Sequence, residues 1–343
     1  MIMKKGLNVA VVGATGMVGE AMLEILAERD FPVAQLHPLA SERSLGKSVM
    51  FKGRQLPVEV LSEHDFSQTD LALFSAGGSV SAEFAPRAAA SGCVVIDNTS
   101  HFRMDPQVPL VVPEVNAHVL DDFTSGIIAN PNCSTIQMLL AVAPLHRAAG
   151  VTRINVATYQ SVSGAGRAAM EELGRQSADR FNFRDPEPNV FSHPIAFNLI
   201  PAIDTIDENG YTREEMKLHR ETRRILDSDT IHVNATAVRV PVFIGHGEAV
   251  HLETERPLSL ESARELLDGA PGLRFLDGEA LATPMTDAAG VDAVSVCRLR
   301  RDLSHPNGLN FWVVGDNVRK GAALNAVQVA ELLHARRSDP SGG

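Results

Sequence analysis

Aromatic side chains are scarce in this 343-residue chain: they make up 5% of it, with one Trp and two Tyr, so the core must rest on Val, Leu, Ile and Ala. Cysteine is also sparse. The three residues Cys93, Cys133 and Cys297 form an odd, low count that gives no disulfide framework and fits a reducing compartment, the cytoplasm. No apolar stretch approaches the roughly 20 residues that span a bilayer. The short apolar run behind Lys4 and Lys5 meets a glycine-rich turn within a few residues and reads as a buried strand, not a signal peptide. Positive charge is in deficit. A formal net charge of −11 repels a phosphate-rich polymer and sets nucleic acid aside as a partner. Small anionic substrates stay open, because a few local Arg and Lys reverse the sign in a cleft. No metal site is expected.

The length exceeds what one core usually holds, so two domains are the first expectation. The first part alternates strand and helix. Strands are predicted at Leu7–Val12, Val33–Ala40, Pro57–Leu61, Leu71–Ser75, Cys93–Asp97 and Gly126–Ala129, and helices at Met17–Glu28 and Ser79–Ser91. This alternation predicts a doubly wound α/β fold, a parallel sheet with helices on both faces. A helix from Ser134 to about Ala148 follows Asn130-Pro131-Asn132-Cys133. Beyond Thr152 the strands lengthen (Arg153–Gln160, His232–Val242, Glu248–Glu255, Asp292–Arg298, Leu309–Gly315), with helical stretches at Arg167–Arg180 and Arg213–Leu226 between them. That pattern predicts a second domain of α+β type. The last helix, about Arg319–His334, has amphipathic spacing and can return to the first domain.

Gly13-Ala14-Thr15-Gly16-Met17-Val18-Gly19 ends the first strand and opens a helix. Glycines at such a turn let backbone N–H groups approach a pyrophosphate at the positive end of the helix. The spacing is a variant of the dinucleotide fingerprint, and alone it also fits a glycine-rich turn that binds nothing. After the second strand, Ser41-Glu42-Arg43-Ser44 offers a guanidinium and two hydroxyls suited to the 2′-phosphate of NADP. Glu42 keeps NAD open, since it can bind a ribose.

Of the cysteines, Cys133 alone stands at a predicted helix N-terminus, where the dipole favours thiolate over thiol. A thiolate can attack an acyl carbon, and the thioester can exchange hydride with a nicotinamide. Cys93 and Cys297 lie within apolar strands and read as inert core thiols. Among 12 histidines the base is not singled out; His246 sits in a Gly-flanked loop between predicted strands. On spacing alone, Glu214 and Lys217 read as a solvated helix ion pair.

The glycine loop, Ser41–Ser44, Asp97-Asn98-Thr99-Ser100-His101-Phe102-Arg103, Pro131-Asn132-Cys133-Ser134-Thr135, Tyr159–Gly166, Glu214–Lys217, Arg239-Val240-Pro241-Val242 with His246, and Gly315-Asp316-Asn317 together resemble the aspartate-semialdehyde dehydrogenase family, in the family's order. The resemblance spans residues from about 10 to 330. It implies an NADP-binding domain over 1–132 plus 319–338, a catalytic and dimerisation domain over 133–318, a flexible tail over 339–343, and a homodimer or homotetramer. It further implies that Cys133 forms the acyl-enzyme and that His246 is the general base and acid; a histidine ordinarily titrates near neutrality. Gln160 orients the substrate, and Asn132 stands beside the nucleophile. Arg239 would hold the α-carboxylate, Glu214 the α-ammonium, and Arg103 with Lys217 the phosphate. Gly13, Thr15, Gly16, Met17, Val18, Ser41, Arg43, Ser44, Ser163, Gly164 and Asn317 would contact NADP. The implied reaction is reductive dephosphorylation of β-aspartyl phosphate, toward lysine, threonine and methionine. The stretch Lys217-Leu218-His219-Arg220 departs from the family pattern but leaves Lys217 in place.

Two other readings stay in view. A reductase of another acyl phosphate, such as N-acetylglutamyl phosphate, shares the architecture and the Cys/His chemistry, but has no use for an acid reading a free ammonium. A non-catalytic paralogue with a binding role would be marked by loss of the nucleophile, and Cys133 is present.

Overall fold

The computed structural model describes residues 6–338, so the tail assigned to 339–343 lies outside them. The chain divides into two compact units: one runs to Pro131 and resumes at Ala322, and the other is Asn132–Gly321. Among the described residues no helix is long and apolar enough to cross a membrane.

The first unit contains β1 (Leu7–Val12), β2 (Val33–Ala40), β3 (Ser48–Phe51), β4 (Arg54–Pro57), β5 (Glu59–Val60), β6 (Leu71–Phe74), β7 (Val94–Asp97) and β8 (Ile127–Ala129), with helices α1 (Met17–Glu28), α2 (Gly78–Ala90) and α3 (Pro113–Asn116). Six strands form one sheet in the order β5-β2-β1-β6-β7-β8, parallel throughout. Numbered within the sheet alone, that order is 3-2-1-4-5-6, the doubly wound arrangement in which ligands bind beyond the carboxyl ends of the strands, where the order reverses beside β1. A parallel sheet is covered on both faces, and accordingly Val9–Val12 and Leu71–Phe74 are buried. The strand predicted over Pro57–Leu61 is present but shortened to the two-residue β5, and ahead of it the chain makes an unpredicted β3–β4 hairpin through Lys52 and Gly53, both at positive φ.

Glycine is required at two places in the turn after β1. Gly13 has φ +86°, and a Cβ there would lie 3.0 Å from the Ser75 carbonyl oxygen. A Cβ on Gly19 would lie 2.2 Å from the Gly13 carbonyl oxygen, so α1 can pack this closely on its own turn only without a side chain.

The closing helix, Leu324–Ser338, belongs to this first unit. It is not the amphipathic stripe its spacing suggests: Leu324–Val327 and Val329–Ala330 are buried on every side. The Asn325 amide donates to the Val111 carbonyl (2.9 Å) and the Asn130 side chain (2.7 Å), and Glu331 receives a bidentate pair from Arg29.

The second unit holds β9 (Val151–Gln160), β10 (His232–Arg239), β11 (His246–Thr254), β12 (Leu273–Leu276), β13 (Val294–Arg301) and β14 (Gly308–Gly315), with α4 (Cys133–Ala149), α5 (Arg167–Phe181), α6 (Arg213–Ile225) and α7 (Leu260–Asp268). The sheet is mixed, in the order β10-β9-β11-β14-β13-β12, with parallel pairs at its two edges and antiparallel pairs between. It carries α4 against β9, β11 and β14, while α6 and α7 pack on the same helix. As a result α4 is buried from Ser134 to Ala143.

Candidate active site

In the second unit, Cys133 is the first residue of α4 and is half-buried. Asn132 caps the helix, its side-chain oxygen accepting from the backbone N–H of Ser134 (3.1 Å) and Thr135 (3.4 Å). A Cβ on Gly321 would lie 2.8 Å from the Cys133 Cβ, so the chain passes directly behind the thiol there. Gly321 carries no motif that marks it in the sequence.

Strand ends bring the polar groups together. Gln160 ends β9 and Arg239 ends β10, opposite one another in the parallel register. Glu214, on the first turn of α6, is buried and accepts from Asn132 Nδ2 (2.9 Å) and Gln160 Nε2 (3.1 Å) on Oε1. Its Oε2 takes the Lys217 ammonium at 2.9 Å, and Lys217 also reaches Asp204 at 3.4 Å. Burial alone would raise the Glu214 carboxyl, but the Lys217 charge and the three donors outweigh it and hold the group at about 2. The helix pair read from spacing as solvated is therefore a buried carboxylate, kept ionised and tied to the residue before the cysteine. Thr212 begins α6 with a capping box closed by Glu215, which fixes where Glu214 points.

Arg239 is buried, donates to the Ser161 carbonyl at 2.7 Å, and leaves its Nε without a partner among the described residues. Burial lowers its guanidinium, whereas Glu214 and Cys133 act in the opposite sense, so the cation is electrostatically linked to the thiol. A Cβ on Gly164 would lie 2.9 Å from the Arg239 guanidinium and 3.4 Å from the His246 ring. Any side chain at that glycine would fill the space both groups face.

His246 begins β11 after Gly245, at φ +93°, rather than lying in a loop. Its Nδ1 accepts from the Ser161 backbone N–H at 3.1 Å. A nitrogen that accepts carries no proton, so the neutral ring holds its proton on Nε2, which has no partner among the described residues. Burial, then the nearby Arg239 charge, lower this imidazole to about 3. Ser161, Ser163 and the Gly245 N–H all converge on the Asn317 side-chain oxygen, at 2.9–3.1 Å, and fix the turn before the histidine. Thus Ser163 and Asn317, which the resemblance gives to the cofactor, also hold each other and the histidine turn. Cys93 and Cys297 are buried, as core thiols are.

The remaining predicted residues lie in the first unit. Gly13, Thr15, Gly16, Ser41, Arg43 and Ser44 line one cleft of about 610 Å³, a size suited to a small-molecule ligand. Met17 and Val18 form the first turn of α1, whose N-cap, Gly16, has no side chain to cap the anion-attracting end of the helix. This uncapped end fits a pyrophosphate. The Thr15 and Ser44 hydroxyls are 3.3 Å apart. Arg43 is exposed on a single turn following β2, and Glu42 lines the same cleft. Val60, Ser75 and Phe84 also line it and carry no motif of their own. Arg103 is buried and donates to the Asn98 carbonyl at 2.8 Å.

A doubly wound nucleotide-type sheet, followed in the chain by a cysteine at a helix start amid buried charges, defines a nucleotide-dependent dehydrogenase of the semialdehyde class. Two family models agree with this: the NAD binding domain of semialdehyde dehydrogenases matches residues 8–123, and their dimerisation domain matches 142–320. Along nearly its whole length the chain is similar to the aspartate-semialdehyde dehydrogenase of Legionella pneumophila, with 56% identity and 96% of each chain covered. The Aquifex aeolicus enzyme of the same name is 53% identical, over 96% of this chain and 98% of the relative. A crystal structure of aspartate semialdehyde dehydrogenase II from Vibrio cholerae, complexed with ASA, superposes with a TM-score of 0.95 at 55% identity, covering 97% of this chain and 99% of that one. The chain belongs to the aspartate-semialdehyde dehydrogenase family.

Proposed function

We propose that this protein reduces β-aspartyl phosphate to aspartate semialdehyde and phosphate with NADPH, through a thioester on Cys133. The observation that carries the reading is the buried, ionised Glu214, hydrogen-bonded to Asn132 and Gln160 beside the nucleophile. An anion held there reads a free α-ammonium group, and Arg239 supplies the opposite charge for the α-carboxylate. An N-acylated substrate would set a neutral amide against that carboxylate.

The Cys133 thiolate attacks the acyl carbon, and the C–O bond to phosphate breaks with its electron pair on phosphate. Arg103 and Lys217 are assigned to the phosphate on the strength of the family resemblance. The cofactor, when bound, supplies the hydride that reduces the thioester. Collapse of the resulting oxyanion breaks the C–S bond, releases the aldehyde and regenerates the thiolate. No net proton is needed at that collapse. The neutral His246 ring therefore serves it as an Nε2–H hydrogen-bond donor. To act as a base on the Cys133 thiol, the ring must move its proton to Nδ1, where the Ser161 hydroxyl at 3.1 Å can accept it.

Arg43, with Ser41, Ser44 and Thr15, supports NADP over NAD through the 2′-phosphate. The protein acts in the cytoplasm, in the synthesis of lysine, threonine and methionine, as a homodimer or homotetramer. The test is spectrophotometric: aspartate semialdehyde should yield NADPH only when phosphate is present. Equal rates without phosphate, or activity confined to N-acetylglutamate semialdehyde, would reject the reading.

A further inference from the structure

The sequence predicts no metal site, and the reaction above needs none. At the edge of the parallel sheet, however, three side chains with no part in that reaction converge. His37 lies on β2, Glu59 on β5, and His64 just beyond the turn Leu61–Glu63. His37 Nδ1 is 3.0 and 3.2 Å from the two Glu59 oxygens, and His64 Nδ1 is 3.5 Å from one of them. The ring centroids are 4.9 Å apart. One ligand atom from each residue lies within 4.8 Å of both others.

We propose that His37, Glu59 and His64 form a binding site for a divalent transition-metal ion, with Zn²⁺ as the best match. Ligand atoms about 2 Å from a common ion lie within about 4 Å of each other, so the widest separation closes by a small side-chain rotation. Two imidazoles and a carboxylate are the donor set that zinc takes when three protein ligands leave a fourth position for water. Glu59 is about two-fifths exposed, which gives the ion a path in and water a place to bind, while the two imidazoles are mostly buried.

The surroundings are those of a ligand set. His64 Nε2 is 3.0 Å from the Thr69 hydroxyl. When that nitrogen donates, the neutral ring presents a bare Nδ1 to the Glu59 carboxylate, acceptor against acceptor, and a cation between them resolves the conflict. Metal-bound histidines are commonly oriented by such a bond from the other ring nitrogen. The Phe66 ring meets His64 edge-on, at 4.9 Å between centroids, and fixes its plane. A metal here would join β2 to β5, an edge strand of two residues paired only through Leu39–Glu59 and Ala40–Val60.

The purified full-length chain is titrated with Co²⁺, whose visible bands report coordination, and with Zn²⁺ in a thermal melt. Expected are about one tightly bound ion per chain, visible bands without a thiolate charge-transfer band, and a melting temperature that rises with Zn²⁺ concentration. Both signals are lost in His37→Ala and His64→Gln. Thr69→Val weakens binding about 10- to 100-fold, the range for losing an orienting partner. Should either histidine variant fail to fold, Glu59→Gln, at a half-exposed position, carries the same test. Absence of binding, unchanged binding in the folded variants, or a thiolate band pointing to Cys133 overturns the proposal.

Discussion

The side-chain amide of Gln137 donates to the main-chain oxygen of His246 at 3.2 Å. Gln137 stands one helical turn beyond Cys133, so this bond ties the nucleophile's helix to the strand that begins with the histidine. Glu248, two residues along that strand, faces the same glutamine from a fully buried position. Neither of its oxygens has a well-formed hydrogen bond among the described residues, and burial, only partly opposed by the neighbouring Gln137 amide, pushes the carboxyl well above the ordinary carboxylate range.

A raised folded pKa has a definite sign. The protonated folded form is favoured, so stability is full below the unfolded value of 4.5 and is lost as pH rises through the folded value. Glu248→Gln keeps the shape and removes that loss. The variant is expected to melt above the parent at about pH 8 and to converge with it near about pH 4. Identical melting curves at both would show that the carboxyl titrates normally.

His246→Gln is expected to lower kcat by about 10²- to 10⁴-fold while changing KM little, the scale of a lost proton-handling group. The sequence predicts a histidine titrating near neutrality. Burial moves it to about 3, so the wild-type rate profile should show no histidine limb between about pH 6 and 7. The depressed value also means that the ring's contribution to stability is present above 6.5 and is lost as pH falls toward 3. A limb near pH 6.5 that vanishes in the variant would restore the neutral-pH titration.

Cys133→Ser should fold normally and turn over no substrate, because an alkoxide is not available at neutral pH. Cys93→Ala and Cys297→Ala, both in the core, should retain kcat and lose roughly 1 kcal/mol of stability. Full activity in Cys133→Ser would remove the thioester from the mechanism.

Arg43→Ala should weaken NADP by about 1.5–3 kcal/mol, the scale of a hydrogen bond to a charged group. NAD-dependent turnover should barely move. Equal losses with both cofactors would make Arg43 a structural residue.

Much of the fold is legible in the sequence because its signals are local. The apolar run Leu7–Val12 and the helical spacing of Met17–Glu28 predict elements with those same bounds. The β3–β4 hairpin and α7 are less visible, being short and half-polar, although Lys52-Gly53 marks the hairpin turn and Ser259 caps the helix. Cys133 is legible as a residue at a helix start. The bonds that make its surroundings chemical are not: Glu214 meets Gln160 across 54 residues and Asn132 across 82. The tautomer of His246 is likewise beyond sequence reading, because it is set by the backbone N–H of Ser161, which any residue but proline would present.

The all-round burial of α4 bears on how the protein fails. The nucleophile heads a helix that touches solvent along little of its length, so its amides should be among the slowest in this unit to exchange with deuterium. Such a helix does not fray on its own; it opens when the sheet beneath it opens. Heat should therefore abolish catalysis and melt the mixed sheet in the same transition, with no warmed state that keeps this sheet and has lost the placement of its nucleophile.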